Sequence, residues 1–345
     1  MDRVLEIGGY AAGYCGRLFV RAGADVVRLD DGIAEPAWAS SQAMDLFLHA
    51  GKRRVASADI DLIGRLAARA DVVICAARCA DDLERLRFDE WGAPVKVAIT
   101  PYGRTGPKRN WQATPNVILA AGGYTNLVGD ADKAPLTLPG HYLEFQTGAL
   151  AYAGANANRL AGQANSLDLS MLESLMSLSQ FTTVRWHCAG EERSRHGNDF
   201  WFVVPSELFR CADGWIYVNV VPAFWDAFTV FVERPDLLLD PRFENNDLRM
   251  QNRDALHEIV AEVLCNVPKA ELVERAERCR VPAGVVMDFD EVLQDPHLHA
   301  RGFWEKVDDS TAKHLVVPGL PYMLTDEARP SLAAQQSVAV GAVQW

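Results

Sequence analysis

Asp168 is the residue whose setting in this chain points most directly to chemistry. It sits in Asn165-Ser-Leu-Asp-Leu169, an acid inside an otherwise apolar strand end, two residues before Ser170. Ser170-Met-Leu-Glu173 has the capping-box spacing that opens a helix. The first amides of a helix and its dipole stabilise a negative charge placed there by about 0.3–1 kcal/mol. A carboxylate kept ionised while partly stripped of water has what a carboxylate nucleophile needs. An acid that only supplements the cap has the same setting, and the residues by themselves leave both readings open. Desolvation should push this carboxyl towards neutrality. The helix amides, and glycine loops at Gly103, Gly106 and Gly122-Gly123, are expected to supply opposing N–H donors, so that Asp168 stays ionised at pH 7.

Other groups are less specific. His141 and Glu144 are spaced to share a helix face as an acid/base pair, whereas His187 and His196 fit surface histidines. Gly8-Gly9-x3-Gly13-x2-Gly16 follows a strand-like run, and Asp30 closes a second one. The spacing is not that of a dinucleotide-binding G-x-G-x-x-G loop, so glycines permitting tight strand–helix packing are the better reading. Lys52-Arg53-Arg54, and Arg104 with Lys108-Arg109, are short basic clusters that fit solvated loops or a phosphorylated ligand. No zinc, P-loop or G-x-S-x-G motif occurs.

These groups must be positioned by alternating strands and helices. Strands are expected at Val4–Ile7, Asp25–Leu29, Asp71–Cys75, Val95–Thr100 and Asn165–Leu169. Helices are expected at Tyr14–Ala22, Ile60–Arg69, 143–161 and, as one long apolar-faced helix, from Ser170 to about Trp186. Apolar runs separated by helices argue for a parallel sheet in a doubly wound α/β arrangement. The small-residue run from Gly148 to Ala155 permits close helix approach. Phe209–Val218 reads as a hairpin turning at Asp213-Gly214. Helices follow near 223–233, 251–265 and 268–279, then a strand at 281–287, and 301–325 returns to extended character. The expected organisation is a large α/β domain over 1–208, a smaller α+β domain over 209–300, and a return to the large domain over 301–345.

Composition sets outer bounds. The 345 residues are 49% hydrophobic and 23% charged, with 34 Lys+Arg against 46 Asp+Glu. A net charge of −12 argues against nucleic acid or an anionic membrane as partner. No run of about 18 apolar residues can span a bilayer. MDRVLEIGGY enters a strand directly, without an apolar signal region, and the seven cysteines are scattered without zinc spacing. The expectation is a cytoplasmic globular enzyme with reduced thiols and no metal.

Several segments together resemble the class III CoA-transferases, the carnitine and formyl-CoA transferase family. Gly23-Ala-Asp-Val-Val-Arg-Leu29 resembles the family's "LGADVIKVE", Gly51-Lys-Arg-Arg-Val55 its "NKRSV", and Ile99-Thr-Pro-Tyr-Gly-Arg-Thr-Gly-Pro107 its "SGFGQTGP". Gly162-Gln-Ala-Asn-Ser-Leu-Asp-Leu-Ser-Met-Leu-Glu-Ser174 resembles "GQGQYVDVSLLEA". Ala212-Asp-Gly-Trp215 and Asp295-Pro-His-Leu-His-Ala-Arg-Gly-Phe303 resemble later signatures in the same order.

The resemblance implies a Rossmann-like large α/β domain with a smaller α+β domain and an interlocked homodimer. It implies coenzyme A as acyl carrier, exchanged between an acyl-CoA and a small carboxylic acid. Asp168 matches the aspartate that is acylated to a mixed anhydride and then converted to an aspartyl-CoA thioester. Lys52, in the family's "NKRS", and Arg85, at the arginine of "xERLG", are the CoA contacts so implied, and Arg104 of the basic cluster is expected to join them. Three departures stand out: Ala77-Arg-Cys-Ala-Asp81 replaces the "NFRPG" that flanks the adenine, Thr137 replaces the basic residue of "PVK", and Phe200-Trp201 replaces "HP". Two alternatives remain. One is a non-catalytic transferase-like subunit, against which the retained aspartate argues. The other is an α-methylacyl-CoA racemase-like isomerase, for which Thr114 stands in place of the basic histidine.

Overall fold

Alternate residues of the apolar strands feed two separate cores. In order, the elements are β1 (Arg3–Gly8), α1 (Tyr10–Arg21), β2 (Asp25–Asp30), α2 (Gln42–His49), β3 (Arg53–Ala56), α3 (Ile60–Ala67), β4 (Val72–Ala76), α4 (Ala80–Arg85), β5 (Val95–Thr100), α5 (Pro115–Ala121), α6 (Tyr142–Leu160), β6 (Asn165–Ser170), α7 (Met171–Met176) and α8 (Gln180–Ala189). There follow β7 (Ser206–Cys211), β8 (Gly214–Asn219), α9 (Trp225–Phe231), α10 (Asn246–Gln251), α11 (Arg253–Leu264), α12 (Lys269–Cys279), β9 (Ala283–Val285), α13 (Phe289–Leu293), α14 (Pro296–Ala300), β10 (Trp304–Asp308), β11 (Leu315–Pro318), β12 (Leu332–Ala333) and β13 (Gln336–Ser337). The computed structural model describes residues 2–30, 41–308, 315–323, 332–333, 335–339, 343 and 345.

Two units divide the chain: Met1–Thr125 with Thr137–Arg193 and His297–Trp345, and Asn126–Leu136 with Ser194–Pro296. The first is built on a parallel seven-stranded sheet ordered β13-β3-β2-β1-β4-β5-β6. Leu5, Ile7, Val27, Leu29, Val73, Cys75 and Ala98 pack with Ile63, Leu66, Phe88 and Trp91 on one face. Val4, Val26, Val72, Ile74, Val97 and Ile99 pack with Ala12, Cys15 and Phe19 of α1 and Ala151 and Ala155 of α6 on the other. Covering both faces is what a parallel sheet requires. The doubly wound α/β reading of the sequence therefore holds.

The early glycines serve this packing. A Cβ at Gly16 would lie 1.7 Å from Glu6 Oε2, and one at Gly148 would lie 2.5 Å from the Ala11 carbonyl oxygen. At Gly148 backbone already fills the space, and at Gly16 any larger residue would have to displace the Glu6 carboxylate. The expected close approach through the small-residue run is the α1–α6 contact.

The long helix expected from Ser170 to Trp186 is instead two helices, α7 and α8. Two serine hydroxyls explain the break. Ser177 Oγ and Ser179 Oγ donate to the Ser174 and Met176 carbonyls at 2.8 and 2.7 Å. The Leu178 and Ser179 amides bond three residues back, to Leu175 and Met176, which tightens the turn. Beyond it α8 has no buried residue, so the expected apolar face is not turned into either core.

In the second unit β7, β8 and β9 form an antiparallel sheet backed by α9, α11 and α12. The expected hairpin is present, but Cys211 pairs with Gly214, so its turn is Ala212-Asp213 rather than Asp213-Gly214. Asp213 Oδ1 accepts the Lys269 amide at 2.8 Å, which ties the turn to the start of α12. In the first unit β10 pairs with β11 and β12, and β13 adds to β3. Of the extended stretch expected at 301–325, residues 309–314 and 324–325 lie outside the described residues. No described helix is long and apolar enough to cross a membrane.

The capping box is half formed. Ser170 Oγ accepts the Glu173 amide at 3.3 Å, while among the described residues the exposed Glu173 side chain returns no bond to the Ser170 amide. Ser170→Ala should therefore lower stability by about 0.5–2 kcal/mol and Glu173→Ala by clearly less, as read by chemical denaturation of the two variants side by side.

Candidate active site

Strand register brings the first unit's chemical groups to one rim. Gly8 pairs with Ala76, Ala76 with Ile99 and Ile99 with Leu169, so the C-terminal ends of β1, β4, β5 and β6 lie level. Ligands of open parallel sheets bind at this edge. Asp168 lies on β6, the outermost strand, opposite Ala98 of β5. Leu167 and Leu169 join the α1–α6 core, which turns Asp168 to the other face. It is exposed rather than partly stripped of water, and among the described residues β6 is the last strand of the sheet.

The expected N–H donor comes from the loop after β5. The Arg104 amide lies 3.1 Å from Asp168 Oδ1 and 3.0 Å from Oδ2. Gly103, at φ +84°, makes the turn that aims it, and a Cβ there would lie 3.8 Å from Asp168 Oδ2. The Leu172 amide donates to the Pro101 carbonyl at 3.0 Å, joining this loop to the start of α7.

The same loop is tethered to α4. The Ala80 amide donates to the Arg109 carbonyl at 3.0 Å and the Asp81 amide to Asn110 Oδ1 at 3.2 Å. Arg109 also reaches Glu84 at 2.5 Å. Arg85 projects from α4 with a mostly exposed side chain and pairs with Asp82, which also holds Arg78 at 2.8 Å. Lys108 lies 5.5 and 5.2 Å above the rings of Tyr102 and Trp111. Asp168, Arg104, Arg85, Arg78 and Lys108 thus belong to one assembly of β6, the 101–111 loop and α4.

Lys52 does not join them. It is 1% exposed, beneath α1. Its Nζ contacts Glu6 Oε2 at 2.5 Å, the Gly13 carbonyl at 2.8 Å and His49 Nδ1 at 3.2 Å. Arg28 reaches the other oxygen of Glu6 at 3.3 Å. Its ammonium has internal partners instead of a surface on which to hold a phosphate. Burial, opposed by Glu6, pushes the Lys52 pKa from 10.5 down to about 8. Burial, with the cations of Lys52 and Arg28, also holds His49 well below its ordinary value.

His141 and Glu144 do pair, with Nδ1 2.5 Å from Oε2, and the His141 ring stands edge-on to Tyr10 at 4.6 Å. They start α6, on the sheet face opposite the Asp168 side chain. Glu6 was missed in the sequence, although the signal that singled out Asp168, an acid inside an apolar strand, is present there too. The Asp89 and Phe88 contacts of Arg104 were also missed, and no motif marks them. Among the described residues no group of three His, Cys, Asp or Glu is arranged to hold a metal ion.

With this geometry in place, comparison with known proteins is decisive at the family level. The family model for CoA-transferase family III matches residues 2–335. The chain belongs to CoA-transferase family III. It is 26% identical to a succinyl-CoA–D-citramalate CoA-transferase of Chloroflexus aurantiacus, covering 87% of this chain and 81% of that one. It is 28% identical to a succinyl-CoA:mesaconate CoA-transferase of Haloarcula hispanica, covering 95% and 90%. Among solved structures it resembles a CAIB/BAIF family protein from Brucella suis, with TM-score 0.82, 20% identity and coverage of 97% and 94%. A hypothetical protein from Mycobacterium tuberculosis gives TM-score 0.83 at 22% identity, covering 99% and 96%. These two establish the fold. The enzyme is a transferase that uses CoA as substrate.

The buried lysine gives this transferase a pH signature. Between about pH 8 and 10.5 the unfolded chain holds a proton at Lys52 that the folded chain has lost, so this residue makes stability rise with pH across that window. Cys15, pushed well above its ordinary 9.0 mainly by burial, acts in the opposite sense. Lys52→Met keeps Cys15 and isolates the lysine. The melting temperature of the parent relative to that variant should climb from pH 8 to pH 10.5 in thermal scans.

Proposed function

We propose that the chain transfers CoA from an acyl-CoA to a dicarboxylic acid by covalent catalysis at Asp168. The observation that carries the reading is an exposed carboxylate at the rim of a parallel sheet, held by a single main-chain amide and flanked by the tethered basic loop. The names of its relatives, which pair succinyl-CoA with D-citramalate or mesaconate, support the dicarboxylate class.

In the proposed sequence, an oxygen of Asp168 adds to the thioester carbonyl carbon, and the C–S bond breaks with its electron pair leaving on the CoA thiolate. The thiolate then adds to the Asp168 carbonyl carbon of the mixed anhydride and expels the donor's carboxylate, which leaves an aspartyl-CoA thioester. The acceptor carboxylate expels CoA from that thioester, and the thiolate finally attacks the acceptor's acyl carbon and frees Asp168. No net proton or electron is consumed, so two carboxylates and one thiolate suffice.

For the anionic phosphates of CoA we infer that Arg85, with the neighbouring Arg78 and Lys108, supplies the cations, guanidinium groups being well matched to phosphate oxygens. Enclosed Lys52 is assigned to the interior. The racemase alternative has no comparable support, since Thr114 stands at the position of its base. The seven free thiols fit a cytoplasmic enzyme.

We further propose a homodimer. Helix α8 buries nothing in this chain, yet presents Phe181, Val184 and Trp186, each at least half exposed. A ten-residue helix with no buried residue gains little from packing, and an apolar patch of this kind fits a partner surface. Phe181→Glu with Val184→Glu should shift the mass measured by light scattering from two chains to one.

The transfer itself is tested at Asp168. Incubation with succinyl-CoA and hydroxylamine should convert Asp168 to its hydroxamate, detected by peptide mass spectrometry. Asp168→Asn should reduce turnover by about 10⁴-fold or more, the scale on which loss of a covalent nucleophile is felt. Wild-type turnover in that variant, with no conversion back to Asp, rejects the mechanism.

A further inference from the structure

The two oxygens of Asp168 share one donor. Among the described residues the Arg104 amide is the hydrogen-bond partner of this carboxylate, nearly equidistant from Oδ1 and Oδ2 at 3.1 and 3.0 Å. A donor between both oxygens does not select which one attacks. Whichever oxygen joins the acyl carbon, the other keeps the amide.

The guanidinium of the same residue is occupied elsewhere. Arg104 Nη2 lies 2.5 Å from Asp89 Oδ2, and its guanidinium carbon sits 5.3 Å above the ring of Phe88. Phe88 is 1% exposed and packs edge-on against Trp91 at 5.1 Å, inside the core shared with α3. Gly103, in a left-handed conformation, turns the chain between that anchor and Asp168. The side chain expected from its basic cluster to contact CoA is thus clamped to the protein, while its main chain faces the carboxylate. Arg104 also holds the Asp89 carboxyl below its ordinary value through this hydrogen bond, so the clamp stays charged across neutral pH.

We propose that Arg104 serves the transfer through its main chain: its N–H is the oxyanion donor for the tetrahedral adducts at the Asp168 carbonyl carbon, and its side chain, fixed by Asp89 and Phe88, positions that donor. This rests on the covalent reading of Asp168 above. In the two central steps the Asp168 carbonyl carbon is the electrophile. Thiolate or acceptor carboxylate adds to it, the C=O electron pair moves onto the Asp168 oxygen, and collapse expels the leaving carboxylate or thiolate. The oxyanion so formed accepts a hydrogen bond more strongly than the resting carboxylate. The amide therefore gains strength where the barrier lies.

The test separates these steps. An amide-to-ester replacement at Arg104, made by chemical ligation, removes the N–H and keeps the side chain. With radiolabelled succinyl-CoA, this variant should form the anhydride at Asp168 but convert it to the borohydride-trapped aspartyl-CoA thioester about 10²-fold more slowly, with KM unchanged. Asp89→Ala, an exposed substitution that leaves the fold intact, should lower kcat by about tenfold or more through misplacement of the donor, again without raising KM, and Asp89→Glu should restore it. Parent rates in the ester variant, or a raised KM with unchanged kcat in Asp89→Ala, overturn the proposal. Absence of any label on parental Asp168 removes the covalent reading and this inference together, whereas normal labelling with an unimpaired ester variant removes this inference alone.

Discussion

Beneath α1, one buried ion pair joins four elements. Lys52 follows α2 and meets the Glu6 carboxylate of β1, the Gly13 carbonyl of α1 and His49 of α2, while Arg28 of β2 takes the remaining oxygen of Glu6. Fully buried charges are expensive to desolvate, and a pair of this kind roughly balances that cost with its own attraction. What it adds is position. Gly16, having no Cβ, leaves room for the Glu6 carboxylate and the Lys52 ammonium beneath α1. Helix α6 then packs on α1 where Gly148 meets Ala11, and Gln146 of α6 donates to the Ser174 carbonyl of α7 at 2.8 Å. The place of α7, whose first turn follows Asp168, is inherited through those contacts from the ion pair.

The rim has a different logic. A central strand of a parallel sheet is covered on both faces, so a carboxylate there has to be paired, as Glu6 is. On the edge strand β6 the carboxylate of Asp168 faces water and needs no counterion. One lightly held, exposed acid and one tightly paired, enclosed acid therefore occur three strands apart in the same sheet, set by whether the strand has a neighbour on each side.

The parallel strands were legible because continuous apolar runs such as Val72-Val-Ile-Cys75 occur where both faces are buried. Asp168 was legible because an acid interrupts such a run just before a capped helix. Two things were not, and a third only in part. The α7–α8 break depends on serine hydroxyls competing for carbonyls, and serine spacing does not reveal which partner wins. Lys52 sits in a basic run that looks like a solvated loop, and its burial follows from the folded position of Glu6, 46 residues away. The Arg104 amide was legible only as far as its loop, where Gly103 marks a main-chain donor to Asp168 without saying which amide it is. A glycine before it is the only local trace, and glycines are common in loops of every kind.

An exposed nucleophile raises the question of water. A mixed anhydride is open to hydrolysis unless solvent is excluded while it exists. Among the described residues Asp168 is left exposed on the last strand of the sheet. On the transferase reading, cover has to come from the bound thioester itself or from a second copy of the chain, and the two have different consequences. If the thioester is the lid, the carboxylate stays wet until substrate arrives, and acylation and protection are one event. If a second copy is the lid, the isolated chain would be acylated and then hydrolysed, acting as a slow thioesterase. On the proposed homodimer, the apolar residues left exposed on α8, 13 to 18 positions beyond Asp168 in the chain, favour the second course, because they offer a second copy apolar side chains to cover.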